Sequence, residues 1–330
     1  MADIGVVVIG RNEGERLKRC LESVRDQVGQ VVYVDSGSSD ASVEYARSRQ
    51  VQVVCLDMTI PFSAGRARNE GFACLQEGRG GTGLRFVQFV DGDCELEPGW
   101  LKAARDFLLA HEDFAVAAGR RKEKFPEASV YNLLCDIEWN TPIGEARACG
   151  GDFLARAEAF GQVGGFNPAV VAGEEPELCY RLRQRSWRVM RLAEAMTRHD
   201  AAITTFGQWW RRSLRTGHAF AQGYALHGRA GRERYYRRES LQSWFWALLL
   251  PLLVVVLAVM GGGKILLLLP LVYGLQMARI FCRSHKRLGR APAAPYAFFT
   301  LLGKWPQFMG QLLFVKRRLR GRDFAIIEYS

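Results

Sequence analysis

The sequence predicts an α/β fold, a mostly parallel sheet built from strand-helix units, followed by a C-terminal helical membrane region. Three observations carry this prediction. Runs of β-branched residues alternate with stretches of helical spacing through the N-terminal part. Carboxylates and glycines recur where those runs end, and long apolar runs flanked by arginine appear only in the C-terminal part. The 330 residues suffice for one large or two ordinary domains, and the formal charge of +11 has its basic excess toward the C-terminal side. That asymmetry points to anionic lipid or phosphate, with no nucleic-acid partner expected. The eight cysteines form no C-x-x-C pair, so neither zinc nor a disulfide framework is indicated, and a reducing compartment follows. The N-terminus lacks a basic n-region, so no cleavable signal is expected.

Ile4 to Ile9 reads as a first strand, followed by Gly10-Arg11-Asn12-Glu13 and a helix with Leu17, Cys20, Leu21 and Val24 on one face. Val31 to Val34 is a second strand closing on Asp35, and Asp40 is placed to cap the helix of Val43 and Ala46. Val51 to Leu56 is a third strand, after which Ser63 can cap a helix carrying Arg68 and Asn69. A glycine-rich loop from Gly78 to Gly83 leads to Phe86, Val87, Phe89 and Val90, a strand covered on both faces. Such units in series imply right-handed crossovers and parallel pairing. Pro98 can open the next helix, and Ala115 to Ala118 reads as a strand. Phe125 to Thr141 shows no clean period.

The central strand ends in Asp91-Gly92-Asp93, two hard oxygen ligands at the rim where open α/β sheets bind ligands. A Mg²⁺ or Mn²⁺ ion fits there and can neutralise a diphosphate; the plain alternative is an Asp-Gly turn. Asp35 is placed to hydrogen-bond a nucleoside. The first turn reads GRNEG instead of G-x-G-x-x-G, which disfavours a dinucleotide-binding dehydrogenase. Gly150 and Gly151, before Asp152, allow close backbone approach to a ligand or to a neighbouring strand. Gly173 opens a helix with Glu174, Glu175 and Glu177 in its first turn, where acidic residues offset the helix dipole. Of these, Glu175 is the candidate for a cleft, while Glu177 reads as a surface charge. His199 can ligate a metal or touch a phosphate, or be structural.

From Ile4 to His199 these motifs resemble the family 2 glycosyltransferases, through VVVIGRNEG, VDSGSSD, GRARNEG, FVDGDCELEPGWL, CGGDFL and GEEPELCYRLR. The resemblance implies the A-type glycosyltransferase fold, Rossmann-like, and an inverting, metal-dependent transfer from a nucleotide sugar, UDP-linked, to a glycan or lipid-linked acceptor. It makes Glu13 and Asp35 nucleoside contacts and sets Arg68 and Asn69 near the nucleotide. Asp91 and Asp93 match the D-x-D pair, Asp93 on the Mg²⁺ or Mn²⁺ ion and Asp91 on the sugar or ribose. Glu175 falls at the catalytic base, where the family carries Asp. Gly150, Gly151 and Asp152 are acceptor candidates. A nucleotidyltransferase of similar fold lacks its glycine loop here, and a non-catalytic scaffold is at odds with the retained carboxylates.

Residues 1–206 are therefore the expected nucleotide-sugar domain, 207–240 a basic interfacial segment, and 241–330 the membrane region. Gln208 and Arg211 partly match the Q-x-x-R-W acceptor motif of processive synthases, but Arg212 replaces its Trp, and Trp209 with Trp210 suits an interfacial anchor. The basic stretch runs on through Arg229 and Arg232. Residues 244–260 and 265–281 are long enough to span a bilayer, with arginines outside both ends and only Lys264 in the loop. This predicts a hairpin in the inner or cytoplasmic membrane with the catalytic domain facing the cytoplasm. Buried core helices are the alternative. Residues 296–315, interrupted by Lys304 and Pro306 and followed by a basic tail to Arg322, read as re-entrant or surface-lying.

Overall fold

A computed structural model describes residues 1–78, 83–228 and 233–321. Most of the glycine-rich loop between Gly78 and Gly83, together with Arg229, Arg232 and Arg322, lies outside the described residues. The chain forms two compact units, Met1–Phe125 with Glu138–Ala202, and Pro126–Ile137 with Ile203–Ser330.

In the first unit, β1 (Ile4–Gly10), β2 (Gln30–Asp35), β3 (Gln52–Cys55) and β4 (Phe86–Asp91) lie in the order β3-β2-β1-β4, all parallel. Their near-continuous apolar runs reflect a sheet covered on both faces. Val7, Ile9, Val87 and Phe89 enter one core while Val6, Val8, Phe86 and Val90 enter the other, the alternation that a strand imposes. Helix α1 (Glu15–Arg25) lays Leu17, Cys20, Leu21 and Val24 on the second face. Helix α2 (Ser42–Ser48) follows β2; Asp40 stands just outside it and accepts from the amides of Ser42 and Gly14. Helix α3 (Ala64–Glu77) is capped by Ser63, whose hydroxyl accepts the Arg66 amide at 3.1 Å. Gly71 brings α3 so near the sheet that a Cβ there would lie 2.4 Å from Val7 Cγ1.

The sheet then turns mixed. β5 (Cys94–Leu96), β6 (Phe114–Glu123), β7 (Gly144–Ala146), β8 (Phe153–Arg156) and β9 (Arg188–His199) extend it in the order β4-β8-β6-β9-β5, with β7 also on β9. β8 runs antiparallel to β4 and β6, whereas β6 and β9 are parallel. Helix α4 (Trp100–Ala110) starts after Gly99 in the left-handed region at φ 83°, two residues beyond the Pro98 start expected. The stretch without a period contains α5 (Val130–Trp139), which falls to the second unit as far as Ile137; its buried residues include Asn132, and that polar residue hid the helical pattern. Helices α6 (Ala157–Gln162) and α7 (Glu174–Gln184) complete the unit's helices among the described residues.

The second unit is helical. Helix α8 (Phe206–His227) crosses the helix Lys304–Leu319 at two glycines: a Cβ on Gly217 would lie 1.9 Å from the Gln307 carbonyl oxygen, and one on Gly310 2.0 Å from that of Leu214. Helices Arg237–Gly261 and Gly263–Leu288 are long and apolar enough to cross a membrane. Only 22% of the most apolar window of the first is buried, and none of the second. Leu253 is 55% exposed and Val259 82%, so burial inside a soluble core does not account for these helices. The hydroxyl of Tyr273 on the second donates to the carbonyl of Trp246 on the first. The apolar segment 296–315 belongs to two helices, Arg290–Leu302 and Lys304–Leu319, that meet at Gly303. Pro306 has no N–H to return to Leu302, so a continuous helix would be broken there, whereas the first turn of a new helix tolerates it.

Candidate active site

Parallel register brings the carboxyl ends of β1, β2 and β4 side by side: Gly10 pairs with Asp35, and Ile9 with Asp91. Gly92 then folds back onto β1, its amide donating to the Ile9 carbonyl at 2.8 Å. A Cβ on Gly92 would stand 3.0 Å from that oxygen and 3.2 Å from Glu13 Cγ, so its absence lets the Asp91-Gly92-Asp93 turn and the Glu13 loop touch.

Arg68 is the hub of the cluster. It is 2% exposed, and its guanidinium reaches Asp91 Oδ1 at 2.7 Å, Glu174 Oε1 at 3.2 Å and Glu175 Oε1 at 3.3 Å. Burial opposes the charge of Asp91, but Arg68 and Arg121 hold its carboxyl below the usual range. For Glu175 the balance goes the other way: burial, then the neighbouring Glu174, pushes its carboxyl up to about 7 against the pull of Arg68. Gly173, left-handed at φ 77°, starts α7 so that Glu174 and Glu175 enter the cluster from its first turn. Gly151 roofs it, since a Cβ there would stand 2.7 Å from Asp91 Oδ2, 2.9 Å from Arg68 Nη2 and 3.1 Å from Glu175 Oε1. The close approach that the paired glycines suggested is thus made by Gly151 to side chains of the site itself.

Asp152 anchors the same cluster from below. Its side chain is fully buried, with one oxygen accepting the Asp91 amide at 3.0 Å and the other accepting Thr197 Oγ1 at 2.7 Å and Arg121 Nε at 2.9 Å. Arg121 Nη2 also lies 3.2 Å from Asp91 Oδ2. The expectation that Asp152 meets an acceptor is therefore corrected: it has no exposed surface and positions Asp91.

Asp93 sits beside His199, with Oδ2 and Nε2 3.3 Å apart. Burial works against the charge on Asp93, yet His199 and then Arg121 keep it low; burial likewise opposes charge on His199, and Asp93 raises it to about 9. Glu13 pairs with Arg16 at 2.8 Å, and burial together with Asp93 lifts it to about 7. The ligand atoms of Asp93, Cys94 and His199 lie within 4.8 Å of one another, as do those of Asp91, Cys94 and Asp152. The first group suits a divalent ion through its carboxylate and imidazole. Burial pushes the Cys94 thiol well up, so that it stays protonated and is the poorest donor of the three. In the second group both carboxylates are already paired with Arg121. On the far side of the imidazole, His199 Nδ1 faces Glu123 Oε2 at 3.9 Å, beyond hydrogen-bond distance.

Other candidates are used locally. Asp35, 3% exposed, accepts from Tyr33 Oη and from the amides of Gly37 and Ser38, so a nucleoside would meet only the lone pairs these bonds leave. Asn69, expected near the nucleotide, clasps the backbone of Phe166 with both amide atoms at 2.8 Å and so ties α3 to the Gly164–Gly165 turn. A Cβ on Gly150 would approach nothing closer than Arg121 at 4.0 Å. Gln208 caps α8, accepting from the Thr205 amide at 3.0 Å, and Trp209, read with Trp210 as an interfacial anchor, is buried against Phe299 and Tyr131. Arg211 is exposed on α8. Glu177, read as a surface charge, is 1% exposed because Arg181, one turn on, grips both its oxygens.

Arg121, Thr197 and Glu174 were not singled out by the sequence. For Arg121 a signal exists: in Arg120-Arg121-Lys122-Glu123 the second and fourth residues share a strand face, and that face turns inward.

Residues 5–149 match the family described as Glycosyl transferase family 2. Over 218 residues the chain is 27% identical to the pre-mycofactocin glycosyltransferase of Mycobacterium tuberculosis, covering 60% of this chain and 43% of that protein. A TPR repeat-containing protein of Synechococcus elongatus is 38% identical over 96 residues, 29% of this chain and 22% of that one. The chain thus aligns with less than half the length of either relative. Among solved structures, a mannosyltransferase from Pyrobaculum calidifontis in complex with GDP-Man and Mn²⁺ superposes with a TM-score of 0.60 at 18% identity, covering 91% of this chain and 87% of that one. That likeness is one of fold, an A-type sheet followed by helices. The motifs in sequence order and the sheet agree with that match: residues 5–149 carry a Glycosyl transferase family 2 segment.

Proposed function

We propose that the chain transfers one sugar at a time, with inversion, from a nucleotide sugar to a membrane-associated, lipid-linked glycan acceptor, using a divalent cation. The observation that carries this reading is the Arg68 guanidinium, which holds Asp91 at 2.7 Å and Glu175 at 3.3 Å, so that the end of the D-x-D strand and the candidate base share one cluster.

In this scheme Glu175 accepts the proton of the acceptor hydroxyl. Its carboxyl, raised to about 7, has the proton affinity that general-base catalysis favours at neutral pH, worth roughly 10²- to 10⁴-fold. Arg68 keeps the base oriented, and Asp91, fixed through its backbone amide by Asp152, binds a sugar or ribose hydroxyl. Glu13 and Asp35 line the nucleoside end. Asp93 and His199 would hold Mg²⁺ or Mn²⁺; such an ion, when bound, acts as a Lewis acid on the leaving diphosphate. The GDP-Man and Mn²⁺ found in the mannosyltransferase of similar fold support this assignment. The two exposed apolar helices support insertion in the cytoplasmic membrane, with residues 1–206 as the catalytic domain on the cytoplasmic side.

The test is sugar transfer or donor hydrolysis from a panel of nucleotide sugars, UDP-linked donors first, with Mn²⁺, Mg²⁺ or chelator. Activity is expected to need the metal, to vanish in Asp93→Ala, and to drop in Glu175→Gln while nucleotide binding persists. Turnover unaffected by chelator would overturn the scheme. Washing membranes with salt and alkali should leave the protein in the pellet; release would remove the membrane part.

A further inference from the structure

We infer that the second unit contains a binding cleft for one bilayer lipid with an anionic phosphate head. The cleft, of about 760 Å³, opens between α8, the start of the helix Arg237–Gly261 and the helix Lys304–Leu319. Arg237 and Arg318, both exposed, supply positive charge at its lining, which contains no carboxylate. A phosphate matches this pair of forked donors, and Arg237 lies at a helix N-terminus, where amides also favour an anion. Ser240, one turn further on, has a hydroxyl oxygen shielded from solvent and without a hydrogen-bond partner.

Besides Tyr224, Ser240 and Gln311, the rest of the lining is apolar. Leu241 is 56% exposed, and Val315 and Leu319 stand exposed on the facing helix. A free phosphate has no use for such walls, whereas a lipid tail would cover them. The lining also continues into the helix proposed to enter the bilayer. Trp244 stands at that transition, its indole N–H bonded to Gln311 Oε1 at 3.1 Å, and indoles concentrate at the level of lipid headgroups. Gln311 in turn donates to the Ser240 carbonyl at 3.4 Å, so the floor of the cleft is braced before any lipid arrives.

This inference rests on the membrane part of the proposed function and is independent of catalysis, so its test omits donor and metal. Native mass spectrometry of the full chain in a neutral detergent would compare dioleoyl phosphatidic acid with dioleoyl phosphatidylcholine. One phosphatidic acid per chain should be retained about thirtyfold more tightly than phosphatidylcholine, the scale expected from two basic residues at a headgroup. The double variant Arg237→Ser, Arg318→Ser should lose that preference, while Arg283→Ser, outside the cleft, should keep it. Both cleft arginines are exposed, so their loss leaves the fold intact, and addition of inorganic phosphate should not displace the lipid. Equal retention of the two lipids, a preference that survives the double variant, or displacement by inorganic phosphate would each overturn the inference.

Discussion

Replacing Gly151 by alanine probes the packing of the carboxylate cluster without removing any of its charges. The added methyl would stand 2.7 Å from Asp91 Oδ2, 2.9 Å from Arg68 Nη2 and 3.1 Å from Glu175 Oε1, against an ordinary contact of 3.4 Å or more. Arg68 cannot swing away, because it is buried and held by Asp91, Glu174 and Glu175 together. The cluster must therefore open by up to about 0.7 Å, and since a misplacement near 1 Å costs on the order of 10²-fold in rate, we expect a loss of about 10- to 100-fold. Overpacking should also lower stability by ~1–3 kcal/mol. The assay is the initial rate of transfer by the full chain in membranes, with Gly161→Ala as control, because a Cβ at Gly161 meets nothing within 4 Å. A Gly151→Ala rate equal to that of the parent chain would show that the cluster is not the reacting centre.

Four further outcomes follow from the structure. Because the Glu175 carboxyl is raised to about 7, a base acting there is protonated below that pH; activity should rise roughly tenfold per pH unit up to neutrality and then level off, and a flat profile would exclude Glu175 as the base. The same shift acts on stability in the opposite sense: the contribution of Glu175 is full below its ordinary value of 4.5 and is lost as pH rises through about 7. Arg68→Met strands three carboxylates around an apolar side chain and should cost ~3–5 kcal/mol, seen as a lower unfolding midpoint; an unchanged midpoint would deny Arg68 its place as hub. Gly310→Ala drives a methyl to 2.0 Å from the Leu214 carbonyl oxygen, where only backbone movement can relieve it, so thermal stability should fall by ~1–3 kcal/mol while Gly274→Ala, in open space, leaves it unchanged.

The parallel half of the sheet was legible because strands buried on both faces carry near-continuous apolar runs, as Val6 to Ile9 does and as Phe86 to Val90 does apart from the buried Gln88. Of the other half only β6 was, through Ala115 to Ala118. β8 has only four residues, and β9 carries four charged residues in Arg188, Arg191, Glu194 and Arg198, so neither shows a strand period strong enough to read. Asp91, Asp93 and Glu175 could be picked out because glycines mark their turns. Arg121, Asp152 and Thr197 could not be assigned their shared role, since the contacts joining them cross between β6, the β8 approach and β9. Asp35 and Asn69 show the converse: the sequence offers a polar side chain at the right rim, and the folded loop has already engaged it.

The buried carboxylate of Asp152 has a consequence for how the catalytic apparatus comes into being. It joins the end of β4 to β6 and β9, and it lies beyond the last residue of the family match, as do Glu175 and His199. Until the antiparallel strand β8 has been inserted between β4 and β6, the Asp91 amide lacks its Asp152 partner and Arg121 lacks the carboxylate that holds it beside Asp91. A nascent chain that has completed only its first four strands possesses the rim of the sheet but not the full cluster proposed as its centre, which closes in the last stage of building the first unit.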